Sequence, residues 1–338
     1  MDPKQSTGVV TMRKSILDFE RQIEQLEKQI EELRQHAAQH NLDLGEEIAR
    51  LQSEHERLMH EIFGRLTAWD KVQLARHPRR PQTLDYIRLI FDDFLELHGD
   101  RTFADDPAMV GGLALLDNKP VMVFGQQKGR DARERAKRNF GSARPEGYRK
   151  ALRLMKLAEK FGRPVISFVD TPAADCSVGA EERGISEAIA RNMREMAVLK
   201  VPIVIAVIGE GGSGGAVGIG LGDRVLMLEN AIYSVIPPEG CAAILWRDPS
   251  KAEEAAEALK LTAEDSLRFG VVDEIIPEPL GGAHRDPELV ALRLKEALVK
   301  HLAELSRLPT SEMLDLRYAR FRKLGAFLEI PEDQAAVV

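Results

Sequence analysis

Residues 208–216 read I-G-E-G-G-S-G-G-A, and few stretches limit a fold as sharply. An apolar run at 201–208 precedes them and predicts a buried strand. A run of small apolar residues at 216–221 follows and predicts a helix. The two glycine pairs, Gly211-Gly212 and Gly214-Gly215, sit in the predicted connection, which spans 209–215. They carry no side chain that could do chemistry, but without a Cβ their backbone N–H groups can approach a ligand closely. At a helix N-terminus those N–H groups lack intrahelical partners and carry partial positive charge. Such a turn suits a phosphate, or an oxyanion forming on a carbonyl. It equally suits a tight turn with close helix–sheet packing. No G-K-[ST] follows, so it is not a Walker loop. The spacing and the early Glu229 do not match the dinucleotide fingerprint either.

The rest of the chain predicts where that turn sits. From about residue 108 short apolar runs at 121–124, 164–169, 201–208 and 224–228 read as buried strands. Segments 147–161 and 184–199 read as helices between them. Successive strand–loop–helix units bring the 170–183 and 209–215 loops to one sheet edge, beyond the carboxyl ends of the strands, where open α/β folds bind ligands. Farther on, 251–268 reads as a helix, 271–275 as a strand and 287–305 as a long helix.

The N-terminal part differs. Residues 1–12 read as a flexible lead. Ile16, Phe19, Ile23, Leu26, Ile30 and Leu33 recur at alternating three- and four-residue steps, a coiled-coil seam. A turn at 41–45 and a second stripe (Ile48, Leu51, Leu58, Ile62) predict an antiparallel helical hairpin, either self-packed or a docking arm. The division expected is 13–70 for this arm, 71–310 for the α/β domain and 311–338 for a C-terminal extension and tail. Residues 74–87 form a proline-punctuated linker whose Arg76, His77, Arg79 and Arg80 read either as a solvated, salt-bridged junction or as phosphate contacts.

Bulk properties exclude several classes. Of 338 residues 44% are hydrophobic and 30% charged, ample for a buried core. A net charge of -7 disfavours nonspecific nucleic-acid binding. Cys176 and Cys241 are the two cysteines, which implies no disulfide framework, and no His/Cys cluster has zinc-site spacing. The start is polar and no apolar run approaches membrane length. A cytoplasmic protein without a metal of its own is expected.

Several ordered segments carry a family resemblance. They are L-A-R-H-P-R-R-P-Q-T-L-D-Y-I (74–87), Q-K-G-R (127–130), R-N-F-G (138–141) and R-P-E-G-Y-R-K-A-L-R-L-M (144–155). They continue with G-A-E-E-R-G (179–184), S-E-A-I-A-R-N (186–192), the glycine segment itself, P-E-G-C-A (238–242) and I-I-P-E-P-L-G-G-A-H-R (275–285). Over about 16–325 the chain resembles the carboxyltransferase alpha subunits of bacterial and plastid acetyl-CoA carboxylase. The resemblance implies an α/β, crotonase-like (ClpP/crotonase) fold of repeated ββα units beside the helical hairpin. It implies an α2β2 assembly with a beta subunit that supplies a zinc ribbon and most of the acetyl-CoA site. Biotin carboxylase and the biotin carboxyl carrier protein would be further partners, and no cofactor would be bound covalently to this chain. The carrier would present carboxybiotin, whose carboxyl group passes to acetyl-CoA and gives malonyl-CoA for fatty acid biosynthesis. Both an acetyl enolate and the released biotin ureido oxygen are oxyanions, and fixed backbone donors serve such charges without a metal or nucleophile. By resemblance the oxyanion hole falls on Gly214 and Gly215, with Ala216 possible, and Gly211 and Gly212 shape the approach. Lys128 and Arg130 would meet a CoA phosphate or biotin carboxylate, with surface ion pairing as the alternative. Pro172, Ala173 and Ala174 would line the biotin pocket. A non-catalytic assembly or regulatory paralogue and a stand-alone crotonase-like hydratase or isomerase are the competing functions.

The loop after the 164–169 strand departs from the family's usual D-T-P-G-A-Y-P-G and reads D-T-P-A-A-D-C-S (170–177). Ala173 is expected to be strained wherever a positive φ is needed. Asp175 is expected to direct a negative charge at an anionic substrate. Gln126 stands where the family usually has a histidine donor, and Pro237 where it has a serine. Glu181, Glu182 and Arg183 read as capping and interface charges. Cys176, Cys241 and His284 read as structural positions.

Overall fold

A mixed sheet carries the larger part of the chain, and its strands are the most apolar segments of the sequence. The computed structural model describes residues 17–325, and these divide at Arg65/Leu66 into two units. In the first, α1 (Arg21–His40) and α2 (Gly45–Phe63) form a hairpin. Asn41 closes α1 in the left-handed region at φ 50° and donates its N–H to Ala37. The helices run antiparallel, since Phe19 meets Phe63 edge-on at 5.9 Å and Glu27 meets His55 at 3.1 Å. Ile23 and Ile30, one heptad apart, are the buried seam positions of α1; Ile16, also assigned to the seam, lies outside the described residues.

The second unit opens with α3 (Ala68–Ala75) and α4 (Thr83–Ile90), followed by β1 (Asp92–Glu96), β2 (Met109–Leu116) and β3 (Lys119–Gln126). After α5 (Ala132–Lys137) and α6 (Pro145–Lys160) come β4 (Val165–Thr171), α7 (Val178–Glu182), α8 (Ile185–Val198), β5 (Ile203–Gly212) and α9 (Ser213–Val217). The chain continues through β6 (Arg224–Leu228), β7 (Ile232–Ser234), α10 (Pro238–Trp246), α11 (Ala252–Leu259), α12 (Ala263–Arg268), β8 (Glu274–Ile276), α13 (Pro287–Leu305) and α14 (Thr310–Arg322). The strand order is β1-β2-β3-β4-β5-β6-β8, with β7 paired to the far end of β5. β1, β2 and β3 are antiparallel, while β3 to β6 and β8 are parallel. β4 and β5 are buried along their whole length, as central parallel strands covered on both faces must be. α6 begins at Pro145 in its first turn and turns Tyr148, Ala151, Leu154, Met155 and Ala158 inward, a 3–4 spacing that matches one helical face.

Three expectations need correction. The strand predicted at 201–208 does not end before the glycines. β5 runs on to Gly212, because Glu210, Gly211 and Gly212 pair with Ile232, Tyr233 and Ser234 of β7, a strand too short to announce itself in the sequence. The helix predicted at 251–268 is two, since Lys260 turns to φ 51° and Thr262 caps α12 through the N–H of Asp265. The strand predicted at 271–275 is Glu274–Ile276, set by pairing with Leu226–Leu228.

α14 is anchored by a buried arginine. The guanidinium of Arg317, 1% exposed, meets both Asp223 carboxylate oxygens at 2.7 Å. It also donates to the carbonyls of Met196, Leu199 and Val201 at 2.7–3.0 Å. It thus supplies donors to carbonyls at and just beyond the C-terminal end of α8, where a helix leaves its own carbonyls without intrahelical partners.

Candidate functional site

The parallel strands deliver charged residues to one edge. β4 ends near Asp170, β5 carries Glu210 near its end, and Lys128 follows β3. The Lys128 ammonium lies 2.7 Å from Asp170 and 2.6 Å from Glu210. Burial works against its charge, but the two carboxylates outweigh that and hold its pKa above the ordinary lysine value. Burial likewise disfavours an ionised Glu210, yet Lys128 and Arg76 hold it below the ordinary glutamate value. Arg76 bridges Glu210 (2.7 Å) and Glu239 at the start of α10 (2.5 Å). Beside these charges is a cavity of about 170 Å³, with Arg76, Gln82, Lys128, Arg135, Pro172 and Glu210 in its wall. Two of the linker cations are salt-bridged, Arg76 as above and Arg80, which is buried against Glu278 and the Ile208 carbonyl; His77 stacks on His284 with ring centres 3.8 Å apart.

The glycines divide into packing and open positions. A Cβ on Gly212 would collide with the Pro172 carbonyl, and one on Gly211 would lie 2.6 Å from the Tyr233 ring. A Cβ on Gly215 would lie 2.6 Å from the Ala173–Ala174 peptide. Gly214 is different, since its Cβ would meet only Ile189 Cδ1 at an ordinary 3.6 Å. Pro172, Ala173, Ala174, Gly212 and Gly215 are thus brought into contact, and Gly211 backs them from β5.

α9 is gripped from its carbonyl side. Gly215 O accepts from Gln126 Nε2 at 2.9 Å and from the Tyr148 hydroxyl at 3.2 Å. Asn192 donates to the Gly218 carbonyl at 3.0 Å, and Ser167 to that of Ile219 at 2.8 Å. The opposite end presents the first-turn N–H groups of Gly214 and Gly215, which a helix leaves without intrahelical partners. The arrangement offers fixed dipoles to a developing negative charge.

The divergent loop is calmer than its sequence predicts. Ala173 is not among the residues with positive φ; the Thr171 hydroxyl takes up the bend instead, donating to Ala173 O at 2.7 Å. Asp175 faces Arg144 at 3.5 Å and accepts from the Ser177 N–H at 3.0 Å. Its carboxylate thus has a cation at the start of α6 and a backbone donor inside the loop as partners. Cys176 is exposed and Cys241 buried. Arg183 pairs with Glu146 at 3.1 Å. Arg130 lies apart from the glycines: it pairs with Asp85 and donates to the Arg80 carbonyl at 3.0 Å.

Residues 16–325 match the model of the acetyl co-enzyme A carboxylase carboxyltransferase-like family. The acetyl-coenzyme A carboxylase carboxyl transferase subunit alpha of Geobacter metallireducens is 58% identical over 289 residues, 86% of this chain and 91% of that protein. Its namesake from Cyanothece is 54% identical over 322 residues, 95% of this chain and 99% of that protein. The chain belongs to this family. Among solved structures, a chain of a Pseudomonas malonate decarboxylase hetero-tetramer superimposes with a TM-score of 0.57 at 17% identity, covering 71% of this chain and 97% of that one. Transcarboxylase 12S gives a TM-score of 0.50 at 20% identity, over 63% of this chain and 41% of that one. At such identities the likeness is one of fold, and the fold is crotonase-like.

Four residues at this edge were not singled out from the sequence as site members: Asp170, Glu210, Tyr148 and, as an inward donor, Gln126. A signal for the acids existed. Each is a lone carboxylate in or at the end of an apolar strand run, and a buried carboxylate demands a counter-charge. Which cation answers it depends on strand order, which no local pattern reveals.

Proposed function

We propose that this chain is the alpha subunit of an acetyl-CoA carboxylase carboxyltransferase. It moves a carboxyl group from carboxybiotin, presented by a separate carrier protein, to acetyl-CoA, and the malonyl-CoA formed feeds fatty acid biosynthesis. The N–H groups of Gly214 and Gly215, with Ala216 in the same turn, form the oxyanion hole for the biotin ureido oxygen. Pro172, Ala173 and Ala174 wall the pocket beside it. Lys128 acts by fixing Asp170 and Glu210 at its rim, and Arg130 by fixing the linker. The beta subunit brings the zinc ribbon and most of the acyl-CoA site in an α2β2 complex that works with biotin carboxylase in the cytoplasm; among the described residues no helix is long and apolar enough to cross a membrane. The 13–70 arm serves assembly, and 311–338 extends the 71–310 catalytic domain.

The observation that carries this reading is the asymmetry of α9. Four side chains hold the carbonyls of Gly215, Gly218 and Ile219 at and just past its C-terminal end, while a Cβ on Gly214 would meet only Ile189 Cδ1, at an ordinary 3.6 Å. Reconstitution with a beta partner, carrier and acetyl-CoA tests it. Gly214→Val is the decisive variant, because it keeps the N–H but sets a branched side chain beside the donors, at a position where a Cβ meets only Ile189 Cδ1 at 3.6 Å. A folded, assembled Gly214→Val complex is expected to lose about a hundredfold or more in kcat. Near-normal turnover in that complex rejects the assignment.

A further inference from the structure

Glycines make good backbone donors but poor anchors. With no side chain to pack, Gly214 and Gly215 can be oriented only through their own peptide groups. The Gly214 carbonyl is held by the N–H of Gly218 at 3.1 Å, an ordinary helical bond. The Gly215 carbonyl is not held that way. The N–H of Ile219, which a continuing α-helix would give to it, turns to Ala216 at 3.2 Å instead. Two side chains from distant elements take its place, Gln126 from β3 at 2.9 Å and Tyr148 from α6 at 3.2 Å.

Gln126 is itself fully fixed. It is 0% exposed, and its Oε1 accepts the N–H of Asp170 at 3.1 Å. That bond sets which way the amide faces, because an N–H on one side and a carbonyl on the other admit only one orientation. Asp170 in turn accepts the Glu210 N–H at 3.0 Å and pairs with Lys128 at 2.7 Å. Burial raises the Tyr148 phenol far above its ordinary pKa, so it stays a donor at any working pH. The Gly215 residue is thereby tied to the charged edge of β4 and β5 through one neutral amide.

We propose that Gln126 and Tyr148 are positioning residues for carboxyl transfer: by holding the Gly215 carbonyl they fix the planar Gly215–Ala216 peptide, and with it the direction of the Ala216 N–H and the seat of the Gly214 and Gly215 donors beside it. This rests on the oxyanion-hole reading above. Both side chains are fully buried and directed at the Gly215 carbonyl. A small tilt of these donors is enough to matter, because misplacement by about 1 Å can cost about a hundredfold in rate.

The test compares Gln126→Glu, Gln126→Leu and Tyr148→Phe in the reconstituted complex, with assembly checked by sedimentation at each pH. Glutamate at 126 keeps the acceptor for Asp170. When ionised it has no hydrogen for Gly215, and when protonated it regains one. The Gln126→Glu kcat should therefore fall as pH rises through a pKa lifted by burial, and recover toward wild type on acidification. Gln126→Leu should stay low at every pH. Each loss should appear in kcat, about tenfold or more, with KM for the carboxyl donor nearly unchanged, since orientation of transition-state donors is what is removed. Tyr148→Phe should lose less, and its effect should not add to that of Gln126→Leu. If Gln126→Leu fails to assemble, the pH profile of Gln126→Glu against Tyr148→Phe decides alone. Wild-type kcat in assembled variants, or identical profiles for the Glu and Leu variants, overturns the proposal. Loss in Gly214→Val without loss here would reject this inference and leave the oxyanion hole standing, whereas a fully active Gly214→Val would reject both.

Discussion

The ammonium of Lys128 lies 2.6 Å from the carboxylate of Glu210 across 82 residues of chain, and it holds Asp170 with its remaining reach. Two buried carboxylates on neighbouring strands would repel each other. One cation between them turns the repulsion into a clamp on the ends of β3, β4 and β5. The glycine segment starts where that clamp ends, so charge pairing and backbone-donor geometry are parts of one construction.

Removing the cation should be costly. Lys128→Met leaves Glu210 with Arg76 and takes from buried Asp170 the cation that pairs with it directly, and breaking such a pair typically costs about 3–5 kcal/mol. Lys128→Met combined with Glu210→Gln should be less destabilised than Lys128→Met alone, because the stranded charge is gone. Urea unfolding of the two variants and of Glu210→Gln gives the coupling. Additive effects would mean that the clamp contributes nothing.

The same pair sets a pH window. Glu210 is held below the ordinary carboxylate value, so its contribution is complete above about pH 5 and is lost as pH falls through its folded pKa. Lys128 is held above the ordinary value, so its contribution is complete below about pH 10 and is lost as pH rises through its folded pKa. Unfolding free energy from this site should be flat between those limits. In Glu210→Gln the acid limb should flatten, which chemical melts between pH 3 and about 7 would reveal.

The glycines should separate by position. Gly212→Ala and Gly215→Ala force a methyl group into the Pro172 carbonyl and the Ala173–Ala174 peptide, and each should lower the melting temperature markedly. Gly214→Ala has room and a helical setting, so it should melt at or slightly above wild type, since alanine is favoured over glycine in a helix by about 1 kcal/mol. Equal stability of all three variants would contradict the packing described.

Asp175 should prove nearly silent in substrate binding. Because its carboxylate faces Arg144 and caps Ser177, Asp175→Asn should change the KM for carboxybiotin by less than about twofold, the scale of a partly exposed ion pair. A tenfold fall in KM would mean that its charge does reach the anionic substrate.

Much of this protein could be read from its sequence, and the reasons are local. The buried runs at 164–169 and 224–228, the helices near 147–161 and 184–199, and the 3–4 seam through Ile23 and Ile30 are each set by neighbours along the chain. The glycine pairs marked a place where backbone is approached closely, as Gly211, Gly212 and Gly215 are. Three things depended on contacts that no window of sequence contains. Strand β5 ends at Gly212 because β7 pairs with it there. Lys128 is a clamp because β3 and β5 flank β4. Gln126 turns inward because α9 offers the Gly215 carbonyl with no helical donor of its own. The sequence by itself determined which segments are buried, and which residue types are present to carry charge or present backbone donors. Tertiary structure alone decided which of them meet, because hydrogen bonds and ion pairs act over about 3 Å, and it is strand order that brings residues 40 to 90 positions apart within that distance.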